Sequence, residues 1–86
     1  MTDPFEKAIQ ILESKGWWQG SNRGPDGQVC ALTALFDATG EHLAAYSRVR
    51  NVLARVLRVE SVAEWNDHPR RKVREVTAAL HKCVGL

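Results

Sequence analysis

The fold is decided by the stretch Val29–Ala38, VCALTALFDA, in which eight of ten residues are apolar. A helix that is apolar on nearly all sides is usually central and buried. The alanines of this stretch are small enough to let neighbouring helices approach closely. We therefore predict a central helix over residues 29–38, which the turn residues Thr39 and Gly40 bring to an end.

The segment before this stretch predicts another helix, from Pro4 to Lys15. Asp3 can cap its amino end, and the Glu6 side chain can accept a hydrogen bond from the backbone amide of Asp3. Gly16 is a natural stop, because glycine enters the left-handed conformation freely. The apolar residues that recur at helical spacing and should face the core are Phe5, Ala8, Ile9 and Leu12.

The segment after the central stretch predicts two further helices, His42–Arg58 and Arg70–Cys83. Each carries apolar residues at three- and four-residue spacing. Between them, Ser61–Glu64 has the pattern of a capping box but supports only a short turn, because the residue before Pro69 is biased away from helix. Residues 1–86 are thus predicted to be all-α, forming a compact single-domain bundle of four helices plus a short helical turn.

Composition and charge narrow the class of protein. The chain has 86 residues, 44% hydrophobic and 26% charged, which is an ordinary globular composition. It contains no apolar run near the roughly 20 residues of a membrane span, and its first residues do not form a secretory signal. We expect a soluble cytoplasmic protein with no membrane partner, whose two cysteines stay reduced. The net charge of +2 does not by itself indicate a nucleic-acid binder.

Two tryptophan-centred segments stand where helical patterns stop. The first is Gly16–Gly20, GWWQG. Adjacent residues of an extended segment point in opposite directions, so one of Trp17 and Trp18 should enter the core and the other should lie on the surface.

The second segment is Trp65–Pro69, WNDHP. Trp65 is expected to plug the core, while Asn66 and Asp67 hydrogen-bond nearby backbone and fix the turn into the last helix. An acid–base pair of Asp67 and His68 is an alternative, which would need a nucleophile from elsewhere in the chain.

Together the two segments predict one recognition surface. Tryptophan is enriched at the energetic centres of protein interfaces, and the second segment supplies a polar rim. The leading hypothesis is a non-catalytic protein-interaction module that binds a partner protein or a second copy of itself. The candidate contacts are Trp18, Gln19, Arg23, Asn66, Asp67 and His68.

The arginines of the last two long helices make a small nucleic-acid-binding regulator the alternative function. The central helix, Thr39-Gly40 and the next helix resemble a helix-turn-helix in outline, although Phe36 falls where a small residue is expected. The same arginines are also explained if they simply lie on solvent-exposed helix faces and bind nothing. The candidate phosphate contacts are Arg48, Arg55, Arg58, Arg70, Arg71, Lys72 and Arg74, with Asn51 on the same face as the first three.

Few residues carry catalytic or ligand chemistry. Cys30 could be a nucleophile in a small enzyme if His42, His68 or His81 served as its base, but no spacing selects one of them, and a core role for both cysteines is favoured. No cysteine or histidine pair has zinc-ligand spacing. The loop Gly20–Gly27 could cradle an anion but lacks the lysine of a phosphate-binding loop. We predict no metal and no cofactor.

These motifs are similar to those of a known family of small proteins from actinobacteria and their bacteriophages, grouped only as a domain of unknown function. The resemblance spans Ile9 to Leu80 and implies a helical fold and an actinobacterial or phage origin, with no activity or catalytic residue. A phage-encoded chain would act on a host protein. In that family a threonine caps the last helix where Lys72 stands here, so the cap is expected from elsewhere, with Asp67 as the candidate. The matching motifs are Gly16-Trp17 with Gly20, Cys30 with Ala34-Leu35 and Ala38, and Trp65-Asn66-Asp67 with Pro69, Arg71 and Glu75-Val76.

Overall fold

The structure, a computed structural model, describes residues 3–86; Met1 and Thr2, which belong to the predicted domain, lie outside the described residues. Its helices are α1 (Pro4–Lys15), α2 (Ala31–Ala38), α3 (Leu43–Leu57), α4 (Val62–Asn66) and α5 (Val73–Cys83). Residues 3–86 contain no β-strand, only two isolated bridges that join Val29 to Trp17 and to Arg23. The predicted all-α bundle of four longer helices and one short helical turn is confirmed. No helix in this part of the chain is long and apolar enough to cross a bilayer.

The core draws one large side chain from each of the four longer helices. Phe5, Leu35, Leu53 and Leu80 are each at most 1% exposed, and burial of such a side chain stabilises the fold by about 1.5–3 kcal/mol. α2 packs against α1, α3 and α4, as its apolar sequence predicts, and α5 packs against α1 and α3. The core therefore surrounds α2.

α2 begins at Ala31, two residues later than predicted. Val29 is fully buried, but it belongs to the preceding loop. Its backbone donates a hydrogen bond to the Gly16 carbonyl and accepts one from the Trp18 amide, both at 3.0 Å. Because a buried loop residue is as apolar as a buried helix residue, hydropathy does not reveal this boundary.

α5 begins at Val73, three residues later than the predicted start at Arg70. Lys72 precedes the helix in extended backbone, and its amide donates a 2.8 Å hydrogen bond to the Glu75 carboxylate. The expected cap by Asp67 is wrong, because the Asp67 carboxylate binds the first tryptophan segment instead. The first turn of α5 is therefore held by Glu75.

Candidate functional site

Asn66 is the point at which the two tryptophan segments meet. Its side chain is fully buried and fills all four of its hydrogen-bonding positions. Oδ1 accepts from the Trp17 indole Nε1 at 2.7 Å and from the Ala31 amide at 3.0 Å. Nδ2 donates to the Trp18 carbonyl and to Asp67 Oδ1, both at 3.0 Å. One amide side chain thus ties α4 to the loop after α1 and to the first residue of α2.

Two further groups close this junction. Gln19 Nε2 donates to the carbonyls of Asn66 and His68, at 2.9 and 2.8 Å. The Gly20 amide donates to Asp67 Oδ1 at 2.9 Å. The partly or fully exposed residues of this contact form what we call the junction surface: Trp18, Gln19, Gly20, Asp67 and His68.

The prediction that Trp65 plugs the core is confirmed only in part. Trp65 is half-buried at the edge of the core, and the guanidinium carbon of Arg71 lies 4.1 Å from the centroid of its ring, in cation–π geometry. Asn66 takes the buried position, because it finds a partner there for every polar atom. The expected hydrogen bonds of Asn66 and Asp67 to nearby backbone are wrong, because their side chains bond the backbone of Trp18, Gly20 and Ala31, which are distant in sequence. The burial of Asn66 excludes it as a direct contact for a partner.

Both tryptophans of the first segment are half-buried. Trp17 packs against the core, whereas Trp18 lies over its own loop, with its Nε1 donating to Ser21 Oγ at 3.0 Å. A Cβ atom at position 24 would lie 2.5 Å from the Trp18 ring, so this packing requires Gly24. The expected division into a core ring and a surface ring is therefore only partial.

Arg23 is engaged by α2 rather than by the junction surface. Its Nη2 lies 2.9 and 3.1 Å from the two carboxylate oxygens of Asp37, and Lys15 Nζ lies 3.8 Å from the same carboxylate. Of the predicted partner-binding residues, the structure thus brings together Trp18, Gln19, Asp67 and His68. It leaves Arg23 apart from them, paired with Asp37.

A groove of about 590 Å³ lies beside the junction, between α1 and α5. Trp17 belongs to both features, since it lines the groove and its indole Nε1 donates a hydrogen bond to Asn66. Val73, at the first position of α5, is 45% exposed although it is apolar. Sequence reasoning missed this groove, because its walls come from helices distant in sequence. Its lining residues are Leu12, Glu13, Gly16, Trp17, Val73, Arg74 and Thr77.

Three exposed polar residues of α3 and the arginine at its C-cap follow one another along the chain. Arg48, Asn51, Arg55 and Arg58, which we call the arginine stripe, are all exposed. Among residues 3–86, none of these side chains forms an ion pair. The structure therefore leaves their donors open to solvent.

The basic residues near the start of α5 differ from one another. Arg70, Lys72 and Arg74 are exposed. Arg71 instead stacks on Trp65, donates from Nε to the Trp65 carbonyl at 2.9 Å and lies 3.3 Å from the Glu75 carboxylate. Arg71 therefore stabilises the turn between α4 and α5. Because its guanidinium is already bonded there, Arg71 is not a freely available phosphate contact.

The two cysteines are packed into the protein. Cys30 is 6% exposed and caps α2, with its Sγ accepting from the Thr33 amide at 3.4 Å and lying 3.3 Å from Thr33 Oγ1. Cys83 is fully buried, and burial raises the pKa of its thiol, with a smaller contribution from Asp3. Within residues 3–86, no group of three or more cysteine, histidine or acidic side chains is placed to hold a metal ion. The partner of Cys30 is thus a threonine, whereas the enzyme hypothesis needed a histidine.

These features define a small all-helical domain built around a buried polar junction. The chain belongs to a family of unknown function, DUF6197, whose profile matches residues 1–85. Membership of a family of unknown function, expected from the sequence motifs, is thereby confirmed. The chain matches no curated protein and no solved structure.

Proposed function

We propose that the protein is a non-catalytic interaction module that binds a partner protein across the junction surface and the adjoining groove. The observation that carries this proposal is the position of Trp17, which lines the groove while its Nε1 is bonded to Asn66. The two features therefore adjoin and offer one continuous surface. For a phage-encoded chain, the partner would be a protein of the host.

The rigidity of the junction supports this proposal. Five of its hydrogen bonds join residues that are 47 to 49 positions apart in sequence. A surface that is already ordered before binding loses little conformational entropy when a partner docks. The junction can thus present Gln19, Asp67 and His68 in a fixed arrangement.

The chemistry of the groove supports a partner that contributes an apolar side chain. Leu12 and Trp17 supply apolar walls, and Val73 exposes apolar surface beside them. Glu13 and Arg74 add opposite charges to the same lining. Interfaces commonly combine an apolar centre, aromatic and arginine residues and a polar rim.

The test is Val73→Glu, with Leu43→Glu as its matched control. Both residues are exposed apolar side chains at the first position of a helix, where a carboxylate is compatible with the helix dipole. Only Val73 lines the groove. Tagged wild-type protein and both variants would be incubated with lysate of the source cells, and retained proteins would be identified by mass spectrometry.

We expect a protein that wild type and Leu43→Glu retain and that Val73→Glu loses, with affinity lower by about tenfold or more, since a charge is buried against apolar surface. Trp18→Ala should weaken the same interaction while helix content stays unchanged. Equal retention by all variants would contradict the proposal, and so would retention of nothing by a wild-type protein that is also monomeric in sedimentation velocity. Sedimentation velocity identifies a second copy as the partner if wild type dimerises and Val73→Glu does not.

Nucleic-acid binding is a second candidate function, and the distribution of charge favours it. Residues 42–86 carry nine basic and four acidic side chains, whereas residues 1–41 carry three and six. The net charge of the whole chain conceals this separation. A surface with excess positive charge attracts the phosphate backbone. The test is binding to duplex DNA at low salt, with affinity that falls steeply as salt is added.

A further inference from the structure

We infer that α2, the turn 39–42 and α3 form a helix-turn-helix unit that docks α3 into the major groove of duplex DNA. This inference rests on the second candidate function and assigns it to one element of the fold. The arginine stripe would face the major groove of the DNA. The basic residues near the start of α5 would contribute less to DNA binding.

The geometry of the turn supports this assignment. Four residues connect the eight-residue α2 to the fifteen-residue α3. Gly40 and Glu41 both have positive φ, 69° and 62°, and the Glu41 amide donates to the Phe36 carbonyl at 2.9 Å. A short helix, a tight glycine-containing turn and a second helix are the elements of a helix-turn-helix, whose second helix lies in the major groove.

Phe36 is larger than the small residue that the helix-turn-helix pattern expects at its position. Tyr46 of α3 packs against its ring. The rings of Phe36 and Tyr46 have centroids 5.4 Å apart and planes at 86°, which is a favourable edge-to-face contact. The guanidinium carbon of Arg50 lies 5.6 Å from the Tyr46 centroid, which keeps Arg50 with Tyr46 and apart from the stripe. The aromatic pair therefore joins α2 to α3 and does not exclude the motif.

The outer face of α3 has the chemistry that base edges and phosphates require. Positions 48, 51 and 55 follow one another at three- and four-residue steps, so they lie along one side of the helix over about 10 Å. Arg58 follows as the C-cap of α3, in left-handed backbone. Residues 42–59 include no acidic side chain. In the major groove, arginine pairs with guanine and asparagine with adenine. Duplex DNA therefore complements this face in both charge and hydrogen bonding.

The amino end of α3 is also exposed, at an angle around the helix from the arginine stripe. Leu43 is 70% exposed at the first position of the helix, and Ala44 beside it is also exposed. Recognition helices place their amino-terminal residues against base edges, where apolar side chains can contact the thymine methyl group. Docking on DNA would thus cover an apolar side chain that the monomer leaves open.

The experiment measures fluorescence anisotropy with a labelled random-sequence duplex of roughly 20 base pairs at about 50 mM salt, with a salt titration. Arg48→Ala should weaken binding about fivefold or more, because its positive charge attracts the phosphate backbone whatever the base sequence. Arg55→Ala should reduce the slope of log affinity against log salt by about 1. Lys7→Ala, an exposed substitution on α1, is the control and should change neither quantity. Circular dichroism checks the helix content of each variant.

Glu41→Gln tests the docking geometry directly. The carboxylate of Glu41 lies in the turn, and an adjacent phosphate would repel it, so its removal should tighten binding about twofold or more. Glu13→Gln, which removes an exposed carboxylate on α1, is the matched control, and a gain confined to Glu41→Gln shows docking through the turn and α3 rather than a general effect of net charge. A substitution that merely damaged the fold could not produce it.

The remaining outcomes would overturn the inference. If the double variant Arg70→Ala/Lys72→Ala abolishes duplex binding while the α3 variants bind normally, nucleic-acid binding stands but belongs to another surface. If single-stranded RNA of equal length binds more tightly than the duplex, the assigned ligand is wrong. If no binding occurs at low salt, both this inference and the second candidate function fail.

Discussion

At the scale of single residues, Asn66 decides how the two tryptophan segments are arranged. A buried amide is tolerated only when its polar atoms find partners, since an unpaired buried donor or acceptor costs about 1–3 kcal/mol. Asn66 meets this condition completely, with two bonds accepted and two donated. Residues 3–86 contain no buried side-chain nitrogen or oxygen without a partner. The junction therefore contributes to stability as well as to surface shape.

Asn66→Ala should lower the free energy of unfolding by roughly 3–5 kcal/mol. The substitution leaves the Trp17 indole, the Ala31 amide and the Trp18 carbonyl without their side-chain partner, and each loss carries a penalty of about 1–3 kcal/mol. Urea denaturation of both proteins measures the change. Asn51→Ala is the matched control, because Asn51 is exposed and its loss should alter stability by less than about 0.5 kcal/mol. Equal effects of the two substitutions would show that the junction is not a stabilising centre.

At the scale of elements, the amino end of α5 is only half capped. Lys72 has the extended backbone of a cap residue, with φ −113° and ψ 148°. Its ammonium group has no acceptor atom and cannot receive a backbone amide. Glu75 therefore supplies the side-chain bond at this end, to the Lys72 amide. A better cap residue would add a side-chain acceptor for the Glu75 amide, which here donates to the Lys72 carbonyl at 2.9 Å.

Lys72→Thr should raise the free energy of unfolding by about 1 kcal/mol. A threonine hydroxyl can accept the amide of Glu75, which completes a reciprocal capping box. Thermal unfolding followed by circular dichroism measures the gain. Arg70→Thr, an exposed substitution outside the helix, should produce no comparable gain. An unchanged midpoint for Lys72→Thr would mean that the turn holds position 72 in a geometry that a hydroxyl cannot use.

At the scale of the whole molecule, Asp3 connects the two ends of the described chain. Its carboxylate accepts from the Phe5 amide at 2.8 Å and the Glu6 amide at 3.3 Å, which caps α1. The same carboxylate accepts from the Gly85 amide at 3.0 Å, 82 positions away. Burial acts to raise the pKa of Asp3, but the backbone hydrogen bonds with Gly85, Phe5 and Glu6 together lower it.

We expect the protein to lose stability as pH falls below about 4. The pKa of Asp3 is lowered in the folded state, and so is that of Glu75, chiefly by its bond to the Lys72 amide. The unfolded chain therefore binds more protons in acid, and the contribution of both carboxylates is complete above their ordinary values of about 4. Urea midpoints between about pH 3 and pH 6 measure this dependence. Asp3→Asn and Glu75→Gln should each flatten it, and an unaltered profile in both variants would refute this assignment.

The sequence by itself determined the helices and the sides that they bury. Capping residues and apolar spacing are local properties, so the predicted bounds of α1, Pro4–Lys15, agree with the structure. The predicted bounds of α3 agree to within one residue at each end. The apolar stretch that begins at Val29 correctly identified the centre of the core. It also placed the start of α2 too early, because a buried loop residue and a buried helix residue have the same hydropathy.

Only the tertiary structure decided which residue of the second tryptophan segment is buried and what the first segment contacts. A tryptophan is the more apolar residue, so local reasoning favours Trp65 as the core residue. The fold instead buries Asn66, because the indole of Trp17, the amide of Ala31 and the carbonyl of Trp18 converge there from distant parts of the chain. Hydrogen-bond satisfaction depends on the positions of all partners at once. It is therefore a property of the folded chain, which no local pattern of residues encodes.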